Sequence, residues 1–292
     1  LAPLLPLFAR SLTETGTARR DYTELGALMA AKTGGLGADP LLGVVRGSRK
    51  TVSCLSLSGK TVYDKLPDLF ELVADAAVLG ERLRQMLLEA RARLEHGLQA
   101  AGHAAVSARL RARYTGAGAL AERTTGLSYL ESVRGYLRRL EAEPQALLDD
   151  LEELRRRIVA RPGAVFDCTA EAEGLALAET HARQLLRALP PVRAGGRGDL
   201  GAAPLDLPAG EAFVAPAQIN YVGKAANLYD LGYTYHGSAS AILRYLRMGY
   251  LWEQVRVRGG AYGAFCGLDR LGGTLVCSSY RDPNVDDTLS AF

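Results

Sequence analysis

Apolar positions repeat every three or four residues along much of the chain, with a two-residue alternation breaking in at a few places. Leu4 to Leu12 and Tyr22 to Lys32 carry the helical repeat, and Thr33-Gly34-Gly35 closes the second, where glycine supplies a left-handed end. Val44-Val45 and Thr51 to Ser58 alternate apolar and polar residues, as a half-buried strand does. From Asp64 to Arg113 the helical period returns, first as Leu66, Leu69, Leu72 and Val73, then as Leu83, Met86, Leu87, Ala90, Leu94 and Leu98. Leu147, Leu151, Leu154 and Ile158 mark one face of a helix over Ala146 to Val159, with Pro144 in its first turn. Gly163 to Thr169 reads as a strand and Ala172 to Leu189 as a helix.

Periodicity then stops. Residues 190–210 are rich in proline and glycine and read as a linker. Beyond it the pattern predicts a strand over Gln218 to Val222, a helix over Ser238 to Trp252, strands over Ala261 to Leu268 and Gly273 to Tyr280, and a helix opened by Pro283. This order implies an α+β fold with helices on one face of a mostly antiparallel sheet. It divides into residues 1–205, of which 190–205 are linker-like, and 206–292.

Composition narrows the function classes. Hydrophobic residues make up 48% and charged residues 23% of the chain, enough for a sizeable core. The net charge of +3 comes from 35 basic and 32 acidic side chains without a long basic block, so nucleic acid is not an expected partner. No apolar run reaches the roughly 18–20 residues of a membrane span, and no signal-peptide pattern is present. Cys54, Cys168, Cys266 and Cys277 lack a CxxC pairing and are expected as reduced core thiols in a reducing compartment. The chain starts at Leu1 without methionine and stops at Phe292 just inside the last helix signal, which suggests a piece of a longer polypeptide.

Candidate chemistry is sparse. His96 and His103 share a helix face but stand two turns apart, too far to chelate one ion without another element, and His181 and His236 are isolated. No inverted or direct zinc-peptidase motif, nucleophile elbow or Walker loop occurs, so no metal ligands are assigned. Gly34-Gly35 and Gly259-Gly260 lack phosphate-loop spacing and read as turns. The exception is the window from Arg256 to Gly263 together with Ser279 to Asn284. Gly259 and Gly260 there let another backbone approach closely, and a guanidinium six residues from a phenol can bracket a carbonyl or developing oxyanion. An ordinary strand with an exposed arginine and a half-buried tyrosine explains the same residues equally well.

Several segments carry a family resemblance: residues 5–17 (LPLFARSLTETGT), 22–36 (YTELGALMAAKTGGL), 90–114, 126–133 (GLSYLESV), 218–246 (QINYVGKAANLYDLGYTYHGSASAILRYL), 251–273 (LWEQVRVRGGAYGAFCGLDRLGG) and 279–289 (SYRDPNVDDTL). In this order and spacing they resemble the C-terminal half of the presequence proteases, pitrilysin-like (inverzincin) metallopeptidases, in their plant-type organellar form. The segment between Leu79 and Met86 is shorter than the family's, and most of the fourth domain is missing.

The resemblance implies four homologous α+β domains that enclose a chamber for short unstructured peptides. Residues 1–205 correspond to the third domain and 206–292 to the start of the fourth. It implies zinc in the full-length enzyme, with ligands in an N-terminal half outside this chain, and localisation in the chloroplast stroma or mitochondrial matrix. Arg256 and Tyr262 match the arginine and tyrosine that reach the substrate at the zinc site, and are expected to act in catalysis. Asn220, Tyr221, Gly259, Gly260, Tyr280 and Arg281 are expected to bind substrate, although Arg281-Asp282 also reads as a structural turn and helix cap. The leading function is therefore the substrate-binding half of an ATP-independent zinc oligopeptidase that degrades cleaved transit peptides and presequences, inactive without its zinc-bearing half. The alternatives are a zinc-free homologue serving as a structural or binding subunit of a larger organellar complex, and a truncated product without activity.

Overall fold

The computed structural model describes residues 1–17, 19–46, 48, 50–75, 82–192 and 203–292. Its strands are β1 (Leu36–Val44), β2 (Thr51–Gly59), β3 (Gly223–Asn227), β4 (Gly263–Leu268) and β5 (Thr274–Tyr280). The α-helices are α1 (Leu5–Glu14), α2 (Tyr22–Lys32), α3 (Leu66–Asp75), α4 (Leu83–Ala112), α5 (Gly116–Thr125), α6 (Leu127–Ala142), α7 (Pro144–Ile158), α8 (Ala172–Ala188), α9 (Ser238–Met248) and α10 (Asp286–Ala291). A π-helix spans Trp252–Arg258. Helices and small antiparallel sheets together make an α+β protein. Two compact units result: Leu1–Leu41, Ser53–Glu89 and Val133–Leu200 form one, and Leu42–Val52, Ala90–Ser132 and Gly201–Phe292 the other.

In the first unit α1 packs on α2 and α7, and α3 packs on α2 and α8. Leu5, Leu7, Phe8, Leu25, Met86, Leu87, Leu147, Leu151 and Leu154 are among the largest fully buried side chains, so the helical stripes meet one another as the periodicity requires. Asp21 starts α2 with a capping box: its carboxylate accepts the Thr23 and Glu24 N–H groups at 2.7 and 2.8 Å, and Glu24 accepts the Asp21 N–H at 3.3 Å. Thr33 closes that helix in an extended conformation, not a left-handed glycine; Gly35, at φ 128°, follows as the chain turns into β1. Strand β1 also begins eight residues before the expected Val44 and contains Pro40, which an outer strand of a two-stranded sheet tolerates.

The expected strand over Gly163–Thr169 does not form. Phe166 instead lays its ring 5.6 Å from that of Phe70, while Val165 stays 91% exposed. Strand-forming residues alone make no strand where no partner supplies a ladder. The preceding Arg161 donates to the carbonyls of Leu186 and Arg187 at 2.8 and 2.7 Å, satisfying the open C-terminal end of α8. Cys54, expected inside, is exposed on β2, and Cys168, Cys266 and Cys277 are only half-buried. The start of the segment between Leu79 and Met86 and residues 193–202 of the linker lie outside the described residues.

The second unit is built on a three-stranded antiparallel sheet in the order β3-β5-β4. Its first strand lies one segment downstream of the expected Gln218–Val222, because pairing with β5 sets the register, from Gly223 opposite Ser278 to Asn227 opposite Thr274. Asn220 makes only an isolated bridge to Asp282. The expected helix from Ser238 to Trp252 divides: α9 ends at Met248, and the chain winds again as the π-helix from Trp252. Leu251, Val255 and Ala261 form the small core beneath it, with Ala264, Cys266, Ala291 and Phe292 packed around. Helix α10 starts at Asp286, beyond Pro283, and Asp282 receives the Asn284 N–H and the Thr288 hydroxyl at 2.9 and 2.8 Å. Helices α5 and α6 carried no sequence expectation. Thr115 caps α5 by accepting the Gly118 N–H at 3.0 Å, and the buried carboxylate of Glu122 accepts the Ser128 N–H at the start of α6, also at 3.0 Å.

Candidate substrate-binding site

The Arg256–Gly263 window folds as the last turns of the π-helix, a tight reversal and the first residue of β4. The Gly259 N–H bonds back five residues to the Gln254 carbonyl at 3.1 Å, the wide spacing of a π-turn, which is often found at functional sites. Two glycines make the exit possible. Gly260 adopts φ 78°, and a Cβ on Gly259 would stand 2.6 Å from the Val255 carbonyl oxygen. The Asn284 amide then donates to the Gly259 carbonyl at 2.5 Å, tying the reversal to the loop after β5. Gly259 and Gly260 thus shape the backbone that carries Arg256 and Tyr262.

The wide turn also separates the two arginines. Arg258 meets Glu253, five residues earlier, at 3.1 Å. Arg256 has no carboxylate partner among the described residues; its guanidinium lies 4.1 Å from the Trp252 ring centre and 5.6 Å from that of Tyr262. Tyr262 is 66% exposed, its N–H bound to the Tyr280 carbonyl at 3.0 Å, and its ring stands edge-on to Tyr280 with centres 5.8 Å apart. A fixed cation and a phenol held between aromatic faces, with donor hydrogens unclaimed by carboxylates, suit an acceptor oxygen from outside.

The remaining expected residues divide by role. Tyr221 donates its hydroxyl to the Gln99 carbonyl at 2.6 Å and Tyr280 to that of Ala100 at 3.2 Å. These carbonyls belong to the two residues before Ala101, whose φ −144° and ψ 43° break α4. Two phenols reaching the helix ladder give the break a physical cause. Gly102 allows this approach, because a Cβ there would stand 2.2 Å from the edge of the Tyr221 ring. Asn220 spends its side-chain amide on the Asp282 carbonyl at 3.1 Å, beside the backbone bridge. Arg281, at φ 50°, is exposed and lies over the Tyr280 ring at 5.5 Å.

Together these elements enclose a hollow of about 650 Å³ lined by Ala100, Ala101 and His103 of α4, Arg247 and Met248 of α9, Trp252 and Arg256 of the π-helix, and Tyr262, Phe265 and Tyr280 of the hairpin. His103, Arg247 and Trp252 were not expected here. Trp252 was detectable as the only tryptophan, four residues before Arg256, whereas nothing in the sequence joins His103 to the hairpin. Its ring stacks on Phe265 at 5.2 Å and meets the edge of Tyr280 at 5.0 Å. Burial holds the His103 pKa below the ordinary imidazole value, which favours the neutral ring, and its Nδ1 is buried without a partner among the described residues. Also among the described residues, no three His, Cys, Asp or Glu side chains are grouped to hold a metal ion.

Residues 1–135 match the family model for the associated domain of subfamily C of the M16 peptidases, and residues 210–292 that of the "PreP C-terminal domain". Over the whole chain, 38% of positions are identical to presequence protease 1, chloroplastic/mitochondrial, of Arabidopsis thaliana. The chain belongs to the presequence protease family of M16 peptidases. Over all of its length it is 28% identical to protein HypA of Clostridium perfringens, and over 99% of its length 27% identical to the mitochondrial presequence protease of Danio rerio. The chain spans 27%, 30% and 31% of the lengths of these three relatives, respectively. The Arg256–Gly263 window falls inside the segment matched by the presequence protease C-terminal model.

Proposed function

We propose that this chain is the substrate-binding C-terminal part of an ATP-independent zinc oligopeptidase, acting in the chloroplast stroma or mitochondrial matrix on cleaved transit peptides, presequences and other short unstructured peptides. Residues 1–205 are the third peptidase-family domain and 206–292 the start of the fourth. The observation that carries this reading is Arg256, without a carboxylate partner among the described residues and set over the Trp252 and Tyr262 rings in the lining of the hollow, in a chain of this family. The described residues do not fit a zinc site, so the metal belongs to a part of the longer protein that this chain does not span.

The role of this chain is to hold and polarise the peptide. The Arg256 guanidinium offers two parallel N–H groups to a peptide carbonyl, and the Tyr262 hydroxyl offers a third donor as charge develops on that oxygen. Trp252 and Tyr262 keep the cation in place. The aromatic wall of Phe265 and Tyr280 accepts an apolar side chain of the peptide. Asn220, Tyr221 and the glycines support this surface, while Arg281 at its edge contacts the peptide.

In the zinc-loaded longer protein, Arg256→Ala and Tyr262→Phe each lower peptide cleavage by about 10²–10³-fold, with metal content unchanged. Wild-type rates in both variants would remove these residues from the mechanism. The present chain alone binds peptide and does not cut it.

A further inference from the structure

Cys266 on β4 and Cys277 on β5 are direct partners in the antiparallel register. The Asp269 N–H binds the Thr274 carbonyl at 2.9 Å, which makes that pair a hydrogen-bonded one. Hydrogen-bonded and non-hydrogen-bonded pairs alternate, so Cys266–Cys277, three steps along, occupies a non-hydrogen-bonded site. There Cα atoms approach to about 4.5 Å, inside the range a disulfide spans. The two sulfurs already lie 3.3 Å apart and share one S–H hydrogen bond. Both side chains are half-buried on one face of the sheet, and Cys266 packs on Leu251, Val255 and Ala261. Lys224 stands opposite Cys277 on the next strand, β3, and its ammonium group donates to the Leu289 carbonyl at 3.2 Å. The hydrogen bond shared with Cys266 comes first, burial opposes it, and the charge of Lys224 adds to it, so that Cys277 is held below the ordinary thiol pKa.

We propose that Cys266 and Cys277 form a reversible dithiol–disulfide site that closes a covalent staple across the β4–β5 hairpin. A small-molecule disulfide of the glutathione type is the oxidant. The Cys277 thiolate attacks one of its sulfurs, expelling a thiolate that takes up a proton. The Cys266 sulfur then attacks the Cys277 sulfur of the mixed disulfide and expels the second thiol, losing its own proton. One S–S bond forms in the protein and one breaks in the oxidant, which gains two electrons and two protons. The staple joins the two strands that lead to Tyr262 and Tyr280, so the redox state of the pair is read at the backbone that carries the site.

The test treats the 292-residue chain carrying Cys54→Ser and Cys168→Ser with glutathione disulfide, then counts free thiols and maps peptides without reduction. The expected result is loss of both remaining thiols with no gain of glutathione mass, a cross-linked peptide pair containing Cys266 and Cys277, and full recovery with dithiothreitol. In the wild-type chain the same cross-link forms in preference to any involving Cys54 or Cys168. Adding Cys266→Ser to the double variant leaves Cys277 as a stable glutathione adduct. Persistent glutathione adducts on both cysteines of the double variant, unreacted thiols, or bridges through Cys54 or Cys168 in the wild-type chain would each overturn the proposal.

Discussion

Helix α7 and the run from α9 through the π-helix have similar amphipathic sequences but opposite fates. Leu147, Leu151 and Leu154 of α7 are all within 1% of complete burial, whereas α9 buries only Ala239 and leaves Ile242, Tyr245 and Met248 exposed. The π-helix continues this display with Trp252 and Val257. A stripe that finds a partner becomes core; one that keeps its large residues in water beside a cation marks a surface for binding. The first unit therefore covers its stripes within itself, while the second leaves part of its apolar surface open.

The largest effect should come from breaking the buried stripe. Leu151→Ala removes a fully buried side chain from α7 and is expected to cost about 2–5 kcal/mol in denaturant unfolding. A loss below about 0.5 kcal/mol would mean that α7 is no more a core element than α9. Gly102→Ala comes next, at about 1–3 kcal/mol, because the Tyr221 ring must leave the break in α4. Peptide affinity should fall with it, since Tyr221 and Tyr280 share the anchorage; unchanged affinity would separate the break from the site.

A third measurement concerns the polar interior of the second unit. Burial raises the Glu122 pKa against the pull of the Ser128 N–H and of Arg109, 3.4 Å away. The folded state then holds the proton more tightly than the unfolded state. This contribution is fully present below the ordinary glutamate pKa and is lost as pH rises through the elevated one. Glu122→Gln should flatten that decline in a series of unfolding curves; an unchanged slope would assign it to another group. The smallest effect belongs to the exposed stripe: Tyr245→Ala, at a residue 75% exposed, should alter stability by no more than about 0.5 kcal/mol. A larger loss would show that α9 is held by its apolar face after all.

Legibility followed the same division. Helices α1, α2, α7 and α8 were readable because each places leucines or alanines at helical spacing and meets a partner there. Helices α5 and α6 were not, because Gly116, Gly118 and Gly126 mask the period and the junction is held by a buried carboxylate instead of a stripe. Gly163–Thr169 has the residue types of a strand, yet no strand pairs with it among the described residues. At the site, Arg256, Tyr262 and their glycines stood out as a cluster of donors on a flexible segment. The π-turn that pairs Arg258 with Glu253 and frees Arg256 was invisible, since α- and π-helical windings share one residue pattern.

What the sequence determined by itself was the α+β class, the helical stripes, the family and the short window that carries the donors, all of which depend on residue type and spacing along the chain. Tertiary structure alone decided which stripes were covered, that Tyr221 and Tyr280 anchor at the break in α4, and that His103 joins Phe265 and Tyr280 in one wall. It also decided that Cys266 faces Cys277. These outcomes turn on strand register and on a few ångströms between residues distant in sequence, and local propensity does not encode such distances.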